Sequence, residues 1–309
     1  MLLSVIIVSW NARDFLEKCL RSLEACRGPY ELQVIVVDNA STDGSRELVE
    51  RQFPQVHLIS SPANLGFSKA NNLGLQVSRG DYILLVNSDV ELLPGCIPAL
   101  VGHLQSHPRV GIAGPAMLDA DRRVRRSCRG FPTLWNTLCH ALALDYLVPR
   151  FRPFGGYTLR YWGHDSTRLV EILGGWFWIV RRTGLAQVGG LDERFFFYAE
   201  DMDWCRQFAN HGWQAAFVSS AGAIHFGGGS SRRAPLHYYI QEQRADLQYW
   251  RKHHGTWQTT CYRGVCLIYH GLRLAAGAGR LLLTPRNAQV RHRAHLNAGC
   301  LWWHLKGGN

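Results

Sequence analysis

Two acidic groupings, far apart in the chain, carry residue types that can do chemistry together. Asn87-Ser88-Asp89-Val90 follows directly on the apolar run Tyr82-Ile83-Leu84-Leu85-Val86. A carboxylate released at the tip of a buried strand can hold a divalent cation that prefers oxygen ligands. The run Phe196-Phe197-Tyr198-Ala199-Glu200-Asp201-Met202-Asp203 sets a second acidic cluster on a helix entered through an aromatic patch. A carboxylate there can act as a base. Together the two suit an enzyme that transfers a group from a metal-bound diphosphate.

The elements that must position them follow from hydrophobic spacing. Leu3–Val8, Leu32–Val37, Val56–Ser60 and Tyr82–Val86 are short apolar runs and predict strands. Between them, Arg13–Cys26 puts Phe15, Leu16, Cys19, Leu20 and Leu23 on one helical face. A polar turn from Asp38 to Gly44 precedes a helix to about Gln52, and Phe67–Ser78 predicts another. Strands apolar throughout and separated by helices indicate an α/β fold with a mostly parallel sheet covered on both faces. Ligands on such sheets bind at the carboxyl ends of the strands. Ser9-Trp10-Asn11, Asp38, Asn64 and Asn87-Ser88-Asp89 all fall at those ends. Further on, Met117–Val124 predicts a hairpin around Asp119-Ala120-Asp121, beside a basic patch of Arg122, Arg123, Arg125, Arg126 and Arg129. Residues 132–168 mix helix-like and loop segments and are expected over the mouth of the site. Leu169–Leu173 predicts a strand entering Gly174-Gly175-Trp176, where backbone can approach a ligand closely.

Composition narrows the class. The 309 residues are 47% hydrophobic, enough for one large domain with an appendage. The opening Met1–Val8 run has no basic residues before it and no small-residue cleavage site, so it is expected to be the first buried strand rather than a secretion signal. Nine cysteines form no Cys-x-x-Cys pair and are expected as reduced core thiols of a cytosolic protein. The net charge of +11 is concentrated: residues 232–309 hold 12 Lys and Arg against 2 Asp and Glu, while residues 1–231 hold 22 against 21. Leu236–His254 and Thr256–Leu283 predict helices within that basic tail. The second carries Arg263, His270, Arg273 and Arg280 within roughly one third of the helix circumference. Each Arg near a bilayer centre costs about 2.5–3.5 kcal/mol and each Leu or Ile returns only about 0.3–0.6, so a spanning helix is excluded. An in-plane amphipathic helix docked on anionic headgroups is expected instead.

The chain resembles the inverting family 2 glycosyltransferases of the GT-A fold, especially their bacterial rhamnosyltransferase-like branch. The resemblance lies in Ser4-Val5-Ile6-Ile7-Val8-Ser9-Trp10-Asn11, Val36–Ser45, Asn64-Leu65-Gly66-Phe67, Ala70-Asn71-Asn72-Leu73-Gly74 and Asn87-Ser88-Asp89-Val90. Gly190-Leu191-Asp192-Glu193 and Phe197–Asp203 complete it, over about residues 2–230. It implies a GT-A domain at 1–230, with a nucleotide-binding half to about 115 and an acceptor half from about 116. The basic helical tail at 231–309 matches no motif of the family.

The resemblance also implies roles. Asp38 would take the base and ribose of the nucleotide, with Ser9, Trp10, Asn64, Gly66, Asn87 and Ser88 around it. Turn formation alone would also explain Asn64 and Gly66, and helix capping Asp38. Asn87-Ser88-Asp89 stands where the family has its Asp-x-Asp metal motif, the first carboxylate being an amide here. Asp89 would bind Mg²⁺ or Mn²⁺ with the donor diphosphate, and His225 would be a second ligand. Asp201 would be the general base of one in-line displacement, with Glu200, Asp203 and Phe195–Phe197 as its surroundings. Asp203 points about 200° round the helix from Asp201 and is expected to make a structural contact, with Arg206 for example. Glu200, Gly175 and Trp176 would face the acceptor, Trp176 as a sugar platform. The branch implies dTDP-L-rhamnose as donor and a polyprenyl-diphosphate-linked saccharide acceptor at the inner membrane face, in surface polysaccharide synthesis. UDP-galactose, UDP-N-acetylglucosamine and UDP-galactofuranose stay open as donors. So does a non-catalytic nucleotide-sugar-binding scaffold; nucleic-acid binding by the tail is disfavoured, because its arginines alternate with aliphatic faces rather than stacking aromatics.

Overall fold

The structure, a computed structural model, describes residues 1–227 and 235–308. The glycine run from Gly228 and the expected boundary at 230 lie outside the described residues. The chain runs β1 (Leu2–Ser9), α1 (Arg13–Cys26), β2 (Glu31–Asp38), α2 (Ser45–Gln52), β3 (His57–Ser60), α3 (Gly66–Val77), β4 (Tyr82–Asn87) and β5 (Val90–Leu92). It continues through α4 (Cys96–Ser106), β6 (Val110–Leu118), β7 (Val124–Arg125), β8 (Cys128–Arg129), α5 (Leu134–Ala141), α6 (Leu144–Leu147) and α7 (Arg152–Gly155). Then come β9 (Arg168–Val170), β10 (Ile172–Leu173), β11 (Phe177–Arg181), α8 (Arg182–Val188), α9 (Glu200–Asn210) and β12 (Gln214–His225). Three helices finish the described chain, α10 (Pro235–His253), α11 (Thr256–Leu283) and α12 (Ala288–Leu305).

These elements form two compact units. The first holds residues 1–131, 162–196 and 200–229, and is built on a sheet of strand order β3-β2-β1-β4-β11-β6-β12-β5. Strands β3, β2, β1 and β4 are parallel, in keeping with the apolar runs of β1 and β4 and of the second half of β2. Leu3, Val5, Ile6, Ile7, Val36 and Leu84 are fully buried in it. β11 is antiparallel to both β4 and β6, so the central run is mixed but mostly parallel. Two of the quoted sequence segments prove to be one joint: Asn72 Nδ2 donates to the Leu191 carbonyl at 2.8 Å, and Leu191 N–H returns to Asn72 Oδ1 at 2.9 Å. Gly74 sits against Ile6, where any side chain would collide.

Leu169–Leu173 is not one strand. Leu169 pairs with β12 in the main sheet, whereas Ile172 and Leu173 pair with β8 in a separate two-stranded sheet. Glu171 at the break accepts a hydrogen bond from Phe131 N–H.

The second unit gathers residues 132–161, 197–199 and 230–309. Residues 132–161, read from sequence as part of the acceptor half, thus group with the tail helices. α11 packs on α12, α10 and α5. The expected basic stripe of α11 points inward, which reverses the in-plane orientation read from its periodicity. His270 is fully buried, its ring nitrogens 3.0 Å from Asn297 Oδ1 and 3.2 Å from Gln243 Oε1. Arg263 donates to the His304 carbonyl, and Arg273 to the Ala141 and His140 carbonyls. Only Arg280 of the four stays exposed. Among the described residues no helix is long and apolar enough to cross a membrane.

Candidate active site

The carboxyl ends of the strands collect most of the expected residues on one edge of the first unit. Register pairs Ser9 with Asp38 and Val8 with Asn87, so the ends of β1, β2 and β4 lie side by side. Asp38 is buried, and its Oδ2 accepts the Ser41 N–H at 3.1 Å. Its Oδ1 and the neighbouring Ser9 Oγ are buried with no hydrogen-bond partner. Buried polar atoms are nearly always satisfied in folded proteins, so two orphans in register mark a place where water or a ligand would bind. Trp10 and Asn11 follow as the turn; Asn11 adopts φ 49° and its Oδ1 accepts the Thr42 N–H.

Asn64 and Gly66 do different work at the same edge. Asn64 Oδ1 accepts from Gly66 N–H and from Asn39 Nδ2, both at 2.9 Å. Gly66 has φ +79°, and a Cβ there would meet the Phe196 carbonyl. The pair shapes the loop into α3, so turn chemistry accounts for both. Asn39 was not singled out from sequence, yet its side chain ties this loop to the end of β2, Oδ1 accepting from Leu65 N–H at 2.8 Å.

Asp89 and His225 come together through strand pairing. β12 runs antiparallel to β5 with His225 opposite Val90, and the Phe226 N–H donates to the Asp89 carbonyl. His225 Nε2 lies 3.2 Å from Asp89 Oδ1. Trp176 stacks on the imidazole, ring centres 5.5 Å apart and 19° from parallel, which fixes the ring's plane. Both side chains keep about one-fifth of their surface exposed (19% and 20%), so a second reactant can reach them. Beneath them Cys19 is buried, and burial together with the Asp89 charge pushes its thiol pKa up, which leaves it inert. Among the described residues no group of three or more His, Cys, Asp and Glu could enclose a metal ion. A carboxylate and an imidazole fit an ion of the magnesium or manganese class only where a bound diphosphate and water complete the shell, which such ions ordinarily accept.

Asp201, in the first turn of α9, is buried. Its Oδ1 accepts the Met202 N–H at 2.8 Å, and its Oδ2 takes Arg129 Nη2 at 2.5 Å. Arg129 stands on β8, and nothing in its spacing marked it out from the basic patch. Glu200 is buried at the helix start. The chain enters α9 through Tyr198 and Ala199, both left-handed at φ 75° and 63°. For side chains with a Cβ each costs about 1–2 kcal/mol, a strain that elsewhere gathers at functional sites. Arg206 lies over the Phe131 ring at 3.8 Å.

The loop from β10 to β11 joins the two centres. A Cβ on Gly175 would come within 3.4 Å of Asp201 Cβ and 3.2 Å of Trp178. The next residue, Trp176, is the one on His225, and its carbonyl accepts the Asn87 N–H at 3.0 Å. Trp176 is 6% exposed, so its ring is committed to His225 rather than presented as a platform.

A mostly parallel sheet with orphaned polar atoms at its strand ends, an Asp–His pair and a further buried carboxylate make this edge the candidate site of an α/β enzyme. The profile of "Glycosyl transferase family 2" matches residues 4–152. An N-acetylglucosaminyl-diphospho-decaprenol L-rhamnosyltransferase of Mycobacterium tuberculosis (strain H37Rv) is 33% identical over 270 residues, 82% of this chain and 86% of its own. The rhamnosyltransferase WbbL of Escherichia coli K12 is 24% identical over 230 residues, 72% of this chain and 82% of its own. Among solved structures, the mannosyltransferase PcManGT from Pyrobaculum calidifontis, in complex with GDP-Man and Mn²⁺, superposes with a TM-score of 0.59 at 18% identity. That superposition covers 98% of this chain and 86% of PcManGT, and it shows the fold. The chain belongs to glycosyltransferase family 2 and is a rhamnosyltransferase-like enzyme with the GT-A architecture.

Proposed function

We propose that this glycosyltransferase moves L-rhamnose from dTDP-L-rhamnose, with inversion, onto a saccharide linked to a polyprenyl diphosphate. The placement of the Asp89–His225 pair and Asp201 on either side of the Gly175-Trp176 loop carries the reading. The name of the M. tuberculosis relative, with 82% of this chain covered, supports the sugar and the lipid-diphosphate acceptor.

Each residue has a task in that scheme. Asp38 and Ser9 take the nucleoside through their orphaned oxygens. Asp89 and His225 would hold a divalent ion, which when bound would supply charge stabilisation for the departing diphosphate. The acceptor hydroxyl oxygen forms a bond to the anomeric carbon as the carbon–oxygen bond to the diphosphate breaks on the opposite face. The hydroxyl proton passes to Asp201. Arg129 keeps the Asp201 carboxylate in one rotamer until the hydroxyl competes for it. The enzyme would work at the cytoplasmic face of the membrane, where such lipid-linked acceptors are elongated.

A panel of nucleotide sugars, tested for binding and hydrolysis with and without Mn²⁺ or Mg²⁺, tests the reading. Metal-dependent preference for dTDP-L-rhamnose is the expected result. Preference for a UDP-sugar would keep the mechanism and change the product. Metal-independent behaviour toward every donor would overturn the role given to Asp89.

A further inference from the structure

The second unit exposes large apolar side chains where a water-facing surface would not place them. Within six residues, Tyr146, Leu147, Val148 and Phe151 are between 45% and 73% exposed. They are held outward by design of the local fold. Asp145, in the short α6, is 1% exposed and receives His140 at 3.0 Å, Thr158 Oγ1 at 2.9 Å and Arg160 at 3.4 Å. With α6 anchored through Asp145, Leu147, about 200° round the helix, faces away, while Tyr146 rests on Arg160 at 3.5 Å beside His140 and leaves the rest of its ring exposed.

α11 extends this surface. Arg273 donates to the carbonyls of Ala141 and His140, and His140 stacks on Tyr269 with ring centres 5.7 Å apart. The end of α5, from which the ridge follows, therefore lies against the 269–273 turn of α11. Ile268 and Leu272, 44% and 48% exposed, each sit about 200° round the helix from buried His270, on the outward face. Arg263, His270 and Arg273 of α11 make inward contacts beside the buried Val265 and Cys266, while Ile268 and Leu272 stay on the outward face, where a helix that contacts only water would carry polar side chains.

Charge decides the occupant. The residues of this unit include 15 Lys and Arg against 3 Asp and Glu. Arg150 and Arg152 are exposed within the ridge itself, and the one carboxylate of residues 132–161 is the buried Asp145. Apolar side chains flanked by cations match the boundary between acyl chains and anionic headgroups, where each Lys or Arg adds attraction to the surface. We propose that the α6 ridge, with Ile268 and Leu272 of α11, is the surface through which this chain docks on an anionic bilayer. This builds on the reading of a lipid-borne acceptor, and replaces the basic stripe of α11 with a different contact surface.

Sedimentation of the full-length protein with vesicles tests it without any sugar transfer. Vesicles of phosphatidylcholine containing phosphatidylglycerol should bind the wild type, and pure phosphatidylcholine much more weakly. The double variant Leu147→Asp with Val148→Asp should lower the partition coefficient by about tenfold or more. Val124→Asp, an exposed apolar site on the first unit, should leave it unchanged. Nucleotide-sugar binding and the melting temperature report that the double variant is folded. Binding of wild type and double variant alike, or no binding by the wild type, overturns the proposal. So does a concentration-dependent dimer that the double variant abolishes while vesicle binding persists, since that assigns the ridge to a second copy. Absence of transfer with every donor would instead sink the proposed reaction and leave the vesicle result standing.

Discussion

Acidification should destabilise this protein well above the range where carboxylates titrate, through His164. The imidazole is 1% exposed, stacked on Trp162 at 4.0 Å, and its Nε2 accepts the Cys128 N–H at 3.3 Å, a role open only to the neutral ring. Burial lowers its pKa to about 4, with Arg126 and Arg168 adding to the effect against a Trp162 hydrogen bond and Asp165. In the unfolded chain the same ring titrates near 6.5. Above that value both states are neutral and stability is full. As pH falls below it, the unfolded chain binds a proton that the folded form refuses, and stability drops until the folded value is reached. Each unit of separation is worth about 1.4 kcal/mol, so the loss is about 2 kcal/mol at pH 5 and about 3 kcal/mol at pH 4. His304 in the second unit is fully buried, is also lowered to about 4, and should behave alike. Urea unfolding at pH 7.5 and pH 5, followed by circular dichroism and by Trp fluorescence, measures the drop. In His164→Gln the pH-dependent loss should shrink by about 2 kcal/mol, whatever the variant's stability at neutral pH. An unchanged pH slope in that variant refutes the reasoning.

The remaining predictions concern the site and its loop. Asp201→Asn should retain donor binding by calorimetry and lose transfer by roughly a thousandfold; near-normal turnover would remove Asp201 as the base. Arg129→Ala should lower kcat by roughly 10- to 100-fold with the donor KM unchanged, because one charge-assisted contact that orients Asp201 is gone. Asp89→Ala should abolish the Mn²⁺ dependence of donor binding in a metal titration while nucleoside affinity through Asp38 persists. Gly66→Ala should cost at least about 2 kcal/mol in a denaturant titration, since it forces a left-handed side chain against the Phe196 carbonyl.

Much of the first unit was legible because its signals are local. Buried parallel strands are apolar along most of their length, and α1 occupies the span that its periodicity marks, Arg13–Cys26, as α11 does in the second unit, Thr256–Leu283. Strand ends then located Ser9, Asp38 and Asn87 on one edge. What stayed hidden depends on partners distant in sequence. β11 enters the sheet antiparallel between β4 and β6, a choice its own five residues do not record. Periodicity placed Arg263, His270 and Arg273 on one face of α11, but not what that face meets. Gln243 and Asn297, from α10 and α12, supply the buried partners that turn it inward. The basic patch was visible too, yet only the pairing of β8 with β10 brings Arg129 to Asp201.

That last contact changes how the acceptor side should be understood. An exposed aromatic platform was the natural expectation for Trp176, and the ring is instead buried against His225. Gly175 leaves room for Asp201, and Trp176, the adjacent residue, sets the imidazole that meets Asp89. A side chain added at Gly175 would press on Asp201 and Trp178 together, and a shift of this loop would carry Trp176 with it. The Asp89–His225 pair and Asp201 are therefore met by two successive residues of one loop. On the proposed mechanism, the distance between leaving diphosphate and base is set by that backbone rather than by two independent side chains. Substitutions at Gly175 should then slow transfer far more than they weaken binding of either substrate, because positioning of the reacting atoms is what the loop supplies.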